Sequence, residues 1–185
     1  MYSFVVHSLV VSHAFIDESA RSGKYLLTAA VVPTMRLQEV TKVIQALVLK
    51  GNQRVNLSDE SNTRRTQILR AYVALDVPAR VAVTAHAGGD DKPARDRCLR
   101  ALLAGFAELK VQVVLLDTRD EHRNTEDRRV IARAVREGAA PELQYDHRRS
   151  RSEPLLSLPD AFGWAHGAGG TWRTLVASVV TVIEA

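Results

Sequence analysis

Acidic side chains stand at several points where a predicted strand ends or a helix begins. Asp17 closes a first apolar segment, Asp117 and Asp120 follow another, and Asp160 lies early in a later one. Carboxylates that converge from distant parts of a chain can bind hard divalent cations, which prefer oxygen ligands. Asp also accepts hydrogen bonds in turns and stabilises the first turn of a helix. These acids therefore indicate either a shared ion site or a set of ordinary turns and helix starts.

The spacing of apolar residues predicts the elements that would position these acids. Two β-rich segments, His13–Asp17 and Tyr25–Val32, are separated by a polar loop and predict a β-hairpin. Further strands are predicted at Gln53–Leu57, Val81–Ala85 and Val111–Leu116. Helices are predicted from Thr34, which would cap the first of them, to Gly51, and at Asn62–Ala74, Pro93–Lys110, Asn124–Glu137 and Trp172–Glu184. An opening strand pair followed by alternating helices and strands favours an α/β fold with a mixed sheet flanked by helices.

Length and composition favour one domain. The 185 residues fit a single domain, in which residues 1–12 lead into the first strand and residues 150–185 form a C-terminal helical part. Cys98 is the only cysteine, so no internal disulfide can form, and its apolar helical position predicts a buried side chain. Residues 1–12 lack the charged start and cleavage site of a secretory signal, and no apolar run approaches about 18 residues. We therefore expect a cytoplasmic protein without a membrane span.

Two short motifs carry a resemblance to a known family. The segment Phe15-Ile16-Asp17-Glu18-Ser19, followed by the strand Tyr25–Val32, resembles the opening of the family called domain of unknown function 3800. The segment Leu155–Ala165 resembles its C-terminal Leu-x-x-Ala-Asp helix, with Asp160 at the acidic position. The sequence departs from the family pattern at Ala20, where a glycine is expected, and at Pro159, where alanine usually precedes the acid.

The resemblance implies a ribonuclease H-like fold and a metal-dependent nuclease. It places metal ligands at Asp17 and Asp160 and implies Mg²⁺ or Mn²⁺ as the cofactor. For Asp17 the alternative is a turn residue, and for Asp160 it is a capping box with Ser157. Strand alternation predicts that Glu18 points to the opposite face from Asp17.

A third acid is needed, and the sequence offers three. Asp117 and Asp120 follow the strand that reads as most buried, where ribonuclease H-like folds often place a ligand. Asp127 lies further along, in the charged segment Glu126–Arg129, whose alternative is a solvated helix face with ion pairs. We take Asp117 as the metal-ligand candidate, and Asp120 and Asp127 as catalytic candidates beside Asp17 and Asp160.

Basic residues are candidates for contacts to nucleic acid. The formal net charge is +4, and the pI near 9.5 favours an acidic partner. Arg64 and Arg65 open a predicted helix, and Arg148, Arg149 and Arg151 form a short basic cluster. Such residues can bind phosphates without reading sequence, although an ordinary solvated surface has the same composition.

Two function classes follow from these observations. The first is a divalent-metal-dependent nuclease that hydrolyses phosphodiester bonds of RNA or DNA. The alternative is a non-catalytic ribonuclease H-like module that binds nucleic acid or a protein partner. The sequence contains no Walker-type phosphate loop, and a single cysteine cannot build a structural zinc site.

Overall fold

The predicted opening hairpin lies at the centre of the sheet. In the computed structural model, which describes residues 11–21, 23–138 and 143–185, β1 (Ser12–Arg21) pairs antiparallel with β2 (Lys24–Pro33). Residues 1–10 of the predicted lead-in lie outside the described residues. Apart from Thr28 the interior of β2 is apolar, and eight consecutive residues are buried, which is typical of a strand covered on both faces.

Six strands form one mixed sheet in the order β5-β4-β1-β2-β3-β6. The remaining strands are β3 (Ala79–Ala85), β4 (Val111–Asp117), β5 (Gln144–Arg148) and β6 (Val180–Glu184). Strands β1, β2 and β3 are antiparallel neighbours, β4 and β5 run parallel to β1, and β6 runs parallel to β3. The fold is therefore the predicted α/β arrangement, a mixed sheet with an opening antiparallel strand pair and later parallel strands.

Helices cover both faces of this sheet. They are α1 (Leu37–Ala46), α2 (Asn62–Ala74), α3 (Lys92–Ala104), α4 (Glu121–Arg136), α5 (Ser157–Ala168) and α6 (Gly170–Val176). Phe15 packs in a core with residues of α1, α2 and α5, whereas Ala14 and Ile16 pack with residues of α3 and α4. Because side chains alternate along a strand, Asp17 faces α5 and Glu18 faces α3 and α4. Among the described residues, no helix is long and apolar enough to cross a membrane.

Three sequence predictions require correction, and one strand was not predicted. Gln53–Leu57 is a loop leading into a 3₁₀ turn, because its two buried apolar residues pack from irregular backbone instead of pairing in the sheet. The predicted helix Trp172–Glu184 ends at Val176, and the β-branched segment Val180–Glu184 is an edge strand, so residues 150–185 are not wholly helical. Strand β5 was not predicted, because its residues are polar and mostly exposed. Thr34 donates its hydroxyl to the Val11 carbonyl and caps no helix.

Other predictions are confirmed. Helix α2 has the predicted bounds, and Cys98 is fully buried in the core between the sheet and α3. Its burial raises the pKa of the thiol to about 11, which leaves it protonated and chemically inert at neutral pH.

A glycine brings α5 close to the sheet. A Cβ atom on Gly163 would lie 2.7 Å from Thr28 Oγ1 and 3.6 Å from Ser19 Cβ. No real Cβ approaches an oxygen that closely, so only glycine allows this helix–strand distance. Asp160 precedes Gly163 by three residues and so lies on the same side of α5, next to the sheet.

Candidate active site

Three carboxylates lie near one another on β1, on the adjacent strand β4 and in α5, which packs against β1. Asp17 and Asp117 lie on adjacent parallel strands, one position beyond the paired residues Ile16 and Leu116. Asp160 stands in the first turn of α5, which packs against β1. We call Asp17, Asp117 and Asp160 the acid cluster.

Burial and neighbouring charges shift the pKa values of all three acids. Burial is the largest cause at Asp17, and together with the negative charges of Asp160 and Asp117 it raises the pKa of Asp17 to about 8. Burial raises the pKa of Asp117, whereas the Ser150 amide and the charge of Arg54 lower it. Burial and the charge of Asp117 raise the pKa of Asp160, whereas the charge of Arg54 lowers it. Asp17 is therefore mostly protonated at neutral pH unless a cation compensates its charge.

Backbone amides orient two of these acids. The Glu18 amide donates to Asp17 Oδ1 at 2.7 Å, and the Ser150 amide donates to Asp117 Oδ1 at 3.0 Å. The second bond ties the segment after β5 to the acid cluster.

The ordinary structural roles considered for Asp17 and Asp160 are absent. Asp17 lies within β1 and not in a turn. Helix α5 has no side-chain cap, because its first residue, Ser157, donates to the Pro154 carbonyl and hydrogen-bonds the Tyr72 hydroxyl. Neither a turn nor a capping box explains why these two acids are half-buried.

The donor set has the chemistry of a divalent-cation site. Three carboxylates supply the hard oxygen ligands that Mg²⁺ and Mn²⁺ prefer. The buried Thr28 hydroxyl, opposite Asp17 on β2, has no hydrogen-bond partner among the described residues. Within residues 11–21, 23–138 and 143–185, no three His, Cys, Asp or Glu side chains converge tightly enough to form a ready-made metal cluster. The acids are therefore coupled by charge but not closed around a common point.

Arg54 is the cation nearest to these acids. Its Nη1 lies 3.9 Å from Asp160 Oδ2, and its charge lowers the pKa of both Asp117 and Asp160. This role could not be predicted from the sequence, because a single arginine in an irregular loop carries no motif. Only the tertiary structure brings this loop to α5.

Asp120 lies apart from the acid cluster. It is the N-cap of α4 and accepts the Arg123 amide at 2.9 Å, and its side chain is 62% exposed. These are the features of an ordinary helix start.

Asp127 is buried, but on the face that carries α3 and α4. It accepts two hydrogen bonds from Arg95, at 2.7 and 2.8 Å, and contacts His147 Nε2 at 3.0 Å. Burial alone would raise the pKa of Asp127, but these partners hold it below its usual value. The structure therefore uses Asp127 in an internal ion pair.

Arg64 and Arg65 have their guanidinium groups engaged within the protein. Arg64 donates to the Leu47 carbonyl and to Gln67. Arg65 donates to the Leu57 and Ser58 carbonyls and lies 4.9 Å from the ring centre of Trp164. These contacts join α2 to its neighbours, and contact with nucleic acid stays a prediction for both residues.

The second basic cluster is exposed beside the acid cluster. Arg148 pairs with Asp117 in the β4–β5 register, and Arg148, Arg149 and Arg151 flank Ser150, whose amide binds Asp117. Arg151 and Arg54 both line two cavities, of about 490 and 370 Å³. Exposed positive charge therefore lies next to the segment that binds Asp117.

Comparisons with known proteins give a fold likeness at low identity. The chain resembles ribonuclease HII of Archaeoglobus fulgidus, solved in complex with PCNA, with a TM-score of 0.49 and 15% identity over 82% of this chain and 69% of that chain. It also resembles ribonuclease H1 of Halobacterium salinarum NRC-1, with a TM-score of 0.35 and 12% identity over 78% of this chain and 92% of that chain. No family model and no curated protein matches the chain. The function of this chain therefore has to follow from the acid cluster and its surroundings.

Proposed function

We propose that this protein is a divalent-metal-dependent nuclease that hydrolyses phosphodiester bonds of RNA or DNA. The observation that carries the proposal is the acid cluster, in which burial raises the pKa values of Asp17, Asp117 and Asp160, and the charge of another cluster acid adds to the shift at Asp17 and Asp160. A protein rarely keeps three acids in such a place for stability, because each uncompensated buried charge is costly. A bound cation would offset that cost.

The acid cluster would hold Mg²⁺ or Mn²⁺, which when bound supplies an activated water and charge stabilisation at the phosphate. The residues themselves do the positioning. The Glu18 and Ser150 amides fix one oxygen of Asp17 and of Asp117, leaving the second oxygen of each carboxylate as a ligand. Ion binding must displace the proton from Asp17, so affinity for the ion rises with pH up to about 8.

The exposed arginines would hold the substrate. Arg148, Arg149 and Arg151 lie next to the segment that binds Asp117, so a phosphate backbone bound there passes the acid cluster. Such contacts do not depend on base sequence, so we expect little sequence preference. The buried, protonated thiol of Cys98 is compatible with the reducing cytoplasm that we propose as its location.

The test is cleavage of labelled RNA and DNA, single- and double-stranded, by the purified protein with Mn²⁺, Mg²⁺ or EDTA. We expect metal-dependent cleavage that falls at least about 100-fold in Asp17→Asn, because general catalytic groups contribute on this scale. Asp120→Asn is the matched control, since Asn also caps helices and the position lies outside the acid cluster. Binding without cleavage by the wild-type protein would favour the non-catalytic module instead.

A further inference from the structure

Arg54 lies beside the acid cluster and makes only a long contact with Asp160. We infer that Arg54 competes with the divalent ion for Asp160 in the free protein, and binds a substrate phosphate when the ion is present. This inference rests on the proposed function and assigns one residue two successive partners.

The contact between Arg54 and Asp160 is loose. Its 3.9 Å separation is too long for a hydrogen bond, and the Arg54 side chain is 36% exposed. The buried ion pair of Arg95 with Asp127 on the other face has two hydrogen bonds and only 6% and 1% side-chain exposure. Arg54 can therefore leave Asp160 at small cost, whereas Arg95 cannot leave Asp127.

The surroundings of Arg54 suit a phosphate backbone. The two cavities share Gln53, Arg54 and Arg151, so they adjoin at these side chains. The larger cavity is also lined by the amides Asn52 and Asn56. The larger cavity also contains the carboxylates of Asp59 and Glu60, so a phosphate backbone would bind on the side of the arginines and amides.

Charge explains why Arg54 would change partner. In the free protein its guanidinium offsets the repulsion among the three acids. A divalent ion carries twice that charge and repels the guanidinium at short range. Arginine then has a better partner in the phosphate, whose oxygens match its planar fork of donors.

Different results are expected if the contact between Arg54 and Asp160 is only structural. If Arg54 only joined its loop to α5, removing it would lower thermal stability and weaken every binding reaction alike. If Arg54 competes with the ion, removing it should instead strengthen binding of the ion and weaken binding of the nucleic acid.

The experiment measures two affinities in Arg54→Gln. Removing the competing charge should tighten Mn²⁺ binding about 3- to 10-fold by titration calorimetry. Losing a phosphate contact should weaken binding of a labelled, non-cleavable single-stranded oligonucleotide, measured with Mn²⁺ present, by about 3- to 10-fold. Arg54→Lys keeps the charge, so it should leave Mn²⁺ affinity near that of the wild type and restore part of the oligonucleotide affinity.

The control is Arg100→Gln, an equal loss of charge at an exposed position of α3. It should leave Mn²⁺ affinity unchanged. Unchanged or weaker Mn²⁺ binding by folded Arg54→Gln, or unchanged oligonucleotide binding, would overturn the inference. If the wild-type protein binds no Mn²⁺, the proposed function fails, whereas tight Mn²⁺ binding that is insensitive to Arg54 overturns only this inference.

Discussion

Glu18 accepts a hydrogen bond from Arg95 at 2.7 Å on the face of the sheet opposite Asp17. Arg95 also binds Asp127 through two hydrogen bonds, and Arg119 lies 3.3 Å from Glu18. Since Glu18 follows Asp17 and its amide binds Asp17 Oδ1, this buried network fixes the backbone that carries the acid cluster. Of the two neighbouring acids, Asp17 therefore belongs to the acid cluster, and Glu18 anchors the strand that carries it.

The Arg95–Asp127 pair should matter for folding. Asp127→Ala leaves a nearly fully buried guanidinium without its main partner, and we expect a loss of about 3–5 kcal/mol in the free energy of unfolding. Asp120→Ala removes only a helix cap and should cost about 1 kcal/mol. Urea denaturation of both variants measures the difference. Equal losses would show that the ion pair contributes no special stability.

The acid cluster should make the metal-free protein less stable as pH rises. The pKa of Asp17 in the folded protein, about 8, exceeds its unfolded value, so the folded state binds the extra proton between about pH 4 and 8. Stability from this group is therefore present at low pH and lost as the pH passes through 8. In EDTA, the melting temperature should be lower at pH 8 than at pH 5.5.

Asp17→Asn should remove much of that pH dependence. The neutral amide avoids the buried charge, so at pH 8 in EDTA we expect a melting temperature about 2–8 °C above wild type. Thermal denaturation followed by circular dichroism checks this, with Asp120→Asn as the control that should keep the wild-type slope. A variant that retains the wild-type slope would assign the effect to other groups.

Gly163 should be required for the placement of α5. In Gly163→Ala the new Cβ meets Thr28 Oγ1 at 2.7 Å, so the helix must move away, and we expect a loss of about 1–3 kcal/mol with weaker Mn²⁺ binding. Gly167→Ala is the matched control, because its Cβ meets the flexible Arg21 side chain, with Nε at 2.9 Å. Calorimetry and urea denaturation measure both effects.

The double variant Gly163→Ala, Thr28→Ala tests the cause. It removes the oxygen that the new Cβ would meet, so it should recover Mn²⁺ binding relative to Gly163→Ala alone. Failure to recover, or an equal effect of Gly167→Ala, would mean that the close approach to Thr28 does not position Asp160.

The exposed arginines should set the salt dependence of nucleic-acid binding. Replacing Arg148, Arg149 and Arg151 by glutamine should reduce the slope of log affinity against log salt by about 2–3. Arg100→Gln removes an exposed arginine of α3 outside this cluster and should leave the slope unchanged. Fluorescence anisotropy at several salt concentrations distinguishes them. An unchanged slope in the triple variant would remove this cluster from the proposed interface.

Residues with a local pattern were predictable from the sequence. The hairpin that carries Asp17 shows as two β-rich segments around a polar loop, and α2 shows by its helical spacing. Strand alternation was enough to place Glu18 opposite Asp17. Local composition was therefore enough to predict the central strands and the position of Asp17 on one of them.

Residues defined by distant partners were not predictable. Asp127 reads as part of a solvated helix face, because the arginine that binds it is 32 positions away. Strand β5 has polar side chains and joins the sheet only through β4. Arg54 and Asp160 are brought together by the packing of a loop against α5, which no local pattern specifies.

Anomalous diffraction from crystals soaked in Mn²⁺ at pH 8 shows where this protein binds the ion. We expect a Mn²⁺ peak bound by carboxylate oxygens of Asp17, Asp117 and Asp160 at about 2.1 Å, the distance typical of small divalent ions. That result requires the acids to close around the ion from their present separation. A map with no peak at these residues, or with Mn²⁺ bound only at other acids, would contradict it.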